Sequence, residues 1–184
     1  MDTKNSLSWL TLILHWIIAF TIIGLIGLGL CMTNFELYDY YDTHKSIGII
    51  LVSLIVLRVA RRIKQGWPVP ISNYDKREML LAKIVHWVLI VSTVLMPITG
   101  MIFSGATGHG FGIFGFEILH ENIDPSNPEK TIPLSQFWGY FGEISHEYLG
   151  YLLILAIVLH IAGALKHHLI YKDSTLLRML GKKI

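Results

Sequence analysis

Cysteine is nearly absent. Cys31 stands alone among 184 residues, which excludes an internal disulfide and a thiolate-bound cluster within one chain. Its plain reading is a small apolar residue near a helix end. No CxxCH motif occurs, which argues against covalently attached c-type haem. Charge is scarce: 15% of residues are Asp, Glu, Lys or Arg, against about 25% in soluble domains. The net charge is only +2, and no nucleic-acid partner is expected. Acidic residues are missing from the cores of the long apolar segments, where a proton or ion transporter would carry them. There is no repeat of fixed period and no low-complexity tract.

What is abundant is apolar sequence, 53% of the chain. Four segments stand out, roughly residues 7–32, 43–63, 78–103 and 136–168, and each reaches the ~20 residues of a spanning helix. The first does not read as a signal peptide, since its apolar run is too long, contains His15 and is followed by no small-residue cleavage site. Pro97 should kink the third. The chain thus reads as one domain over residues 1–184, an all-α integral membrane protein built as a four-transmembrane-helix bundle. A long outer loop, 104–135, separates the last two helices. It is either a cover over a site or a mobile surface loop.

The charges orient the bundle. Thirteen of the fifteen Lys and Arg fall at the N-terminus, between Arg58 and Lys83, or after His160. Both termini are therefore expected to face the cytoplasm, the chain crossing a membrane several times in contact with its lipid. Nine of the thirteen acidic residues fall on the other side, which holds only Lys45 and Lys130 and carries a formal −7.

Nine histidines are many for so apolar a chain, and ionisable groups inside membranes usually mark function. His146 and His160 are fourteen residues apart, almost four helical turns, so they share a face at depths ~21 Å apart. His15 lies at the cytoplasmic depth of His160, and His44 at the outer depth of His146. The four therefore pair by depth as His15 with His160 and His44 with His146. Facing histidines can bind a metal ion directly or clamp a haem from both sides. A bare zinc site would recruit carboxylates or thiolates, and only Glu143 and Glu147 are at either depth. Gly24, Gly27, Gly29, Gly48, Gly150 and Gly163 either open a slot for a flat macrocycle or serve tight helix packing. Arg58, fourteen residues after His44, is placed to pair with a propionate of an inner haem or to snorkel, as Arg61 and Arg62 are expected to do.

The motifs LHW at His15, THKSIG at His44, HW at His86, SHEYLGY at His146 and the tail HIAGALKHHLIYKDSTLLRM from His160 resemble the bacterial di-haem cytochrome b561 family. This family is related to the cytochrome b subunits of formate dehydrogenases and nickel hydrogenases. The resemblance spans nearly the whole chain, and the tail is its most specific part. It implies two b-type haems, with His15 and His160 on the inner iron and His44 and His146 on the outer. It also implies ubiquinone near His86 and His167, which otherwise read as headgroup-solvated interfacial residues. His109, His120 and His168 read as surface residues.

The function this implies is electron transfer between an outer-face donor and ubiquinone. Some relatives are superoxide oxidases, an oxidoreductase activity expected here with quinone as acceptor. The acidic outer face would repel superoxide and suits a basic redox protein instead. Two alternatives are a membrane-anchor subunit of a larger oxidoreductase and a histidine-lined proton or metal transporter, which would carry no haem.

Overall fold

The computed structural model describes residues 2–3, 6–66, 71 and 74–182. Four long helices follow one another: α1 (Trp9–Phe35), α2 (Tyr41–Gln65), α3 (Lys76–Ala106) and α4 (Gln136–Leu169). A short α5 (Thr175–Met179) comes after them. Polar caps set three of the starts. The side chains of Ser8, Asp75 and Ser135 accept from the backbone N–H of Thr11, Arg77 and Trp138. Glu36, in the left-handed region at φ 54°, ends α1, and a 3-10 turn over Tyr38–Tyr40 leads into α2.

Three helices, α1, α3 and α4, are long and apolar enough to cross a membrane. The α2 helix is long enough, but its uncharged stretch, Ser46 to Leu57, covers only ~18 Å at the helical rise. Lys45 and Asp42 precede that stretch and Arg58, Arg61, Arg62 and Lys64 follow it. The sequence expectation of four equivalent spans is therefore met by three on length and composition alone.

Leu14, Ile18 and Ile22 of α1, Leu51 and Ile55 of α2 and Leu153 of α4 form the buried core. The closest helix pairing is α3 with α4, and small residues permit it. A methyl group on Gly142 would stand 2.6 Å from the Phe103 backbone nitrogen, and one on Gly139 would stand 3.0 Å from Thr107 Cγ2.

Residues 104–135 carry regular structure of their own beyond the end of α3. They fold into two antiparallel hairpins, β1 (Phe111–Ile113) with β2 (Phe116–Leu119) and β3 (Ile123–Asp124) with β4 (Asn127–Thr131). The expected all-α chain thus carries a small β cap. The turn at Phe114-Gly115 has both φ angles positive, at 44° and 87°, the twist that suits a two-residue hairpin. Gly110 has φ 54°, and a side chain there would meet the Leu119 carbonyl oxygen at 2.4 Å, so only glycine fits. The first hairpin docks on the start of α2. Ser46 Oγ accepts from Phe114 N–H at 2.8 Å, and Lys45 Nζ donates to the His109 carbonyl at 3.4 Å.

Candidate functional site

The four long helices bring the histidines together in two places. His15 of α1 faces His160 of α4 with ring centres 6.2 Å apart and planes at 67°. His44 of α2 faces His146 of α4 at 6.3 Å and 77°. The two pairs are thus separated along α4 by ~21 Å of helical rise. All four rings are half-buried.

Each pair is held differently. His146 Nδ1 donates to the Met96 carbonyl at 3.0 Å, with Thr99 Oγ1 at 3.3 Å. A carbonyl only accepts, so the ring proton sits on Nδ1 and Nε2 keeps its lone pair. Gly100 makes room for this ring, since a methyl group there would lie 3.1 Å from His146 Cε1. His44 Nδ1 is buried and has no hydrogen-bond partner among the described residues. At the other pair, Arg58 Nη2 lies 3.0 Å from His15 Nδ1. His86 of α3 joins this end, its ring centre 5.1 Å from that of His160, with Nδ1 donating to the Ala82 carbonyl at 2.6 Å.

The end of the bundle beside His15 is cationic. Arg58, Arg61, Arg62 and Arg178 line one pocket of about 60 Å³ with His15 and Asp2. Arg61 does not snorkel as expected. Its Nη2 donates to Ser8 Oγ at 2.9 Å and to Thr11 Oγ1 at 3.3 Å, fastening α2 to the cap of α1. Arg62 donates to the Gly66 carbonyl at 2.9 Å. Trp16 Nε1 donates to the Met179 carbonyl at 2.9 Å, which ties α5 over the same end.

His167 lies beyond the pair, near the end of α4. Its Nδ1 is 2.9 Å from Asp173 Oδ2, and its ring centre is 4.5 Å from that of Tyr74. His109 and His120 are exposed, as expected, while His168 is half-buried. At the opposite end of the bundle Lys45 Nζ is engaged by Asp42 Oδ1 at 2.9 Å, so its charge is largely neutralised.

The glycines divide unexpectedly. Methyl groups on Gly24, Gly27, Gly48 and Gly163 would meet nothing within 4 Å. These four are therefore not packing contacts. Gly48 follows His44 by one turn and Gly163 follows His160 by three residues, so both leave room beside the paired rings. The glycine that touches a ring most closely is Gly100, which sequence reading passed over. Only its position fourteen residues after His86, on the same face of α3, pointed to it.

Residues 6–182 match the family model described as prokaryotic cytochrome b561. The chain belongs to that family. It is 32% identical over 173 residues to cytochrome b561 homolog 2 of Escherichia coli (strain K12), covering 91% of this chain and 87% of that one. It is 27% identical over 140 residues to the probable superoxide oxidase CybB of Yersinia pestis, covering 76% and 74%. Cytochrome b561 homolog 1 of Escherichia coli (strain K12) is 26% identical over 144 residues, covering 77% and 75%. Membership makes the chain a multi-pass membrane electron-transfer protein and implies b-type haem.

The histidine geometry fits that group. Two imidazole nitrogens at ~2.0 Å from one metal, each ~1.1 Å from its ring centre, put the ring centres ~6.2 Å apart. The observed separations are 6.2 and 6.3 Å. Among the described residues no three His, Cys, Asp or Glu side chains gather around a point where they would hold a bare metal ion. Two opposed imidazoles with no third donor suit an ion whose other four ligands come from a macrocycle.

Proposed function

We propose that the protein carries two b-type haems across a bacterial inner membrane and passes electrons from an outer-face donor to ubiquinone. In this reading all four long helices span, with α2 shielded in its charged parts by its neighbours, and both termini are cytoplasmic. His15 and His160 hold the inner iron, His44 and His146 the outer. Haem held between these paired histidines would supply one-electron transfer. The chain's own residues place and tune it. The Met96 carbonyl orients His146, and this second-shell contact strengthens the ligand.

Arg58 has a role that follows from its donors. A His15 that gives Nε2 to iron carries its proton on Nδ1, where Arg58 has nothing to donate to. Arg58 then needs another acceptor, and a haem propionate is the nearest chemical match. When protonated at Nε2 as well, His86, whose Nδ1 proton is fixed on the Ala82 carbonyl, and His167 would each donate to a quinone carbonyl at the inner end.

The observation that carries this reading is the pair of imidazole separations at one metal–ligand spacing, ~21 Å apart along a single helix. Its test is a haem count with a redox-difference spectrum on the detergent-purified protein. A b-type band and two haems per chain are expected, falling to one in H44A or H160A. A colourless protein made with ample haem refutes it.

For the donor, the relative named probable superoxide oxidase supports superoxide. The formal −7 of the outer face, with Lys45 paired to Asp42, favours a basic redox protein.

A further inference from the structure

Asp173 sits in the link between α4 and α5 and has not yet been given a task. Its Oδ2 accepts from the Tyr74 hydroxyl at 2.7 Å and faces His167 Nδ1 at 2.9 Å, and its Oδ1 accepts from Thr175 N–H at 2.8 Å. The carboxylate is 7% exposed. A carboxylate only accepts, so the proton of neutral His167 is confined to Nδ1. His167 Nε2 is left with its lone pair and makes no hydrogen bond among the described residues. The other charged groups near this ring are committed elsewhere. Glu78 of α3 is bound by Lys166 and by the Tyr171 hydroxyl.

We propose that Asp173 is the positioning residue for proton transfer at the inner end, fixing His167 with Nε2 presented to the quinone and stabilising the imidazolium. This rests on the quinone reading of His167. Reduction of one quinone to quinol takes two electrons and two protons. Two one-electron oxidations of the outer donor supply the electrons, and water at the inner face supplies the protons. At each delivery the Nε2–H bond breaks and an O–H bond forms on a quinone oxygen. The neutral ring then takes a proton from water at the same nitrogen. Asp173 stays a carboxylate throughout: burial alone would raise its pKa, but the bonds from Thr175, Tyr74 and His167 hold it at about 2.

A simple clasp joining α3, α4 and α5 would use the same contacts, so the experiment separates the two. Quinone reduction is measured on haem-loaded protein with a soluble ubiquinone analogue, in H167Q, D173N, D173E and Y74F. In D173N the carboxylate charge is lost, so the imidazolium that carries the transferable Nε2 proton is no longer stabilised. The expectation is a kcat lowered roughly 10-fold or more, with KM for quinone within about 2-fold and the haem spectrum unchanged. D173E restores most of the rate, and Y74F, which keeps the carboxylate–imidazole contact, stays within about 2-fold. Full activity in D173N with loss in H167Q overturns the role of Asp173 alone. Full activity in H167Q overturns the quinone reading and this role with it. Should D173N fail to fold, nitrogen-15 NMR of His167 in the unaltered protein decides. A proton on Nδ1 supports the proposal, and a proton on Nε2 refutes it.

Discussion

Gly100→Ala is the most exacting test of the outer imidazole pair. The added methyl would lie 3.1 Å from His146 Cε1 and 3.2 Å from Nδ1, where carbon atoms prefer ~3.5–4.0 Å. Something must yield by ~0.5 Å. The backbone of α3 is fixed by its own hydrogen bonds, so the ring moves. It cannot slide along α3 without breaking its 3.0 Å bond to the Met96 carbonyl. Relief comes from pushing the imidazole out of its place opposite His44. Overpacking of this kind costs about 1–3 kcal/mol, or roughly 10-fold in retention of whatever the pair binds. Alanine also improves helix propensity, by up to ~1 kcal/mol in an aqueous helix. Thermal stability is therefore ambiguous, and the outer site is the right readout. The assay is haem per chain with low-temperature EPR of the oxidised protein. Haem content should fall from two towards one, with the outer low-spin signal lost or shifted and the inner signal kept. Two haems and unaltered signals in G100A would refute the inference that His146 is fitted to its position by Gly100 and Met96.

Arg58→Gln removes a cation beside His15; a unit charge about 8 Å away at an effective dielectric of ~20 is worth roughly 2 kcal/mol, so the inner midpoint should fall by on the order of 50–100 mV in a redox titration. Asp173 has a folded-state pKa depressed to about 2, so its clasp contributes stability above the unfolded carboxylate value of ~3.9 and loses it as pH falls through about 2. Proteolysis of the segment after Leu169 should accelerate between about pH 4 and pH 2. Electron delivery from a basic redox protein should slow steeply from low to physiological salt, whereas a superoxide donor would be indifferent or quicken; stopped-flow rates at two ionic strengths separate them.

Periodicity and depth carried much of the architecture. The expected helix starts, residues 7, 43, 78 and 136, fell within two residues of the observed Trp9, Tyr41, Lys76 and Gln136, because the ends of apolar runs are local properties. The histidine pairing was legible because helical rise converts sequence position directly into depth. Three features were not legible. The hairpins of residues 104–135 have burial patterns that do not alternate, so no strand signal precedes them. Gly100 and the Met96 carbonyl act through distance between two helices, which no single-helix pattern encodes. Arg61 looked like an interfacial side chain because its position on α2 is terminal. It turns back because Ser8 and Thr11 of another helix offer oxygen acceptors there.

On the proposed two-haem reading, the two ends of the bundle differ in a way that would give the electron path a direction. At the outer pair a neutral carbonyl accepts from His146, which makes the ring a stronger ligand and favours the oxidised metal. The surrounding loops are net acidic, which favours it further. At the inner pair, Arg58, Arg61, Arg62 and Arg178 crowd one pocket with a single carboxylate, Asp2, among its lining residues. Positive charge gathered at that end would favour an added electron. With haem held as proposed, both effects would lower the potential outside and raise it inside, and electrons would run downhill from the outer face to the end where His86 and His167 stand. The expected order of midpoints is therefore inner above outer. The R58Q variant, by lowering the inner value alone, should narrow the gap and slow quinone reduction without changing the donor step. Midpoints in the opposite order would mean that the arginines are fully neutralised by the propionates they hold, and the direction of flow would then be set by the substrates alone.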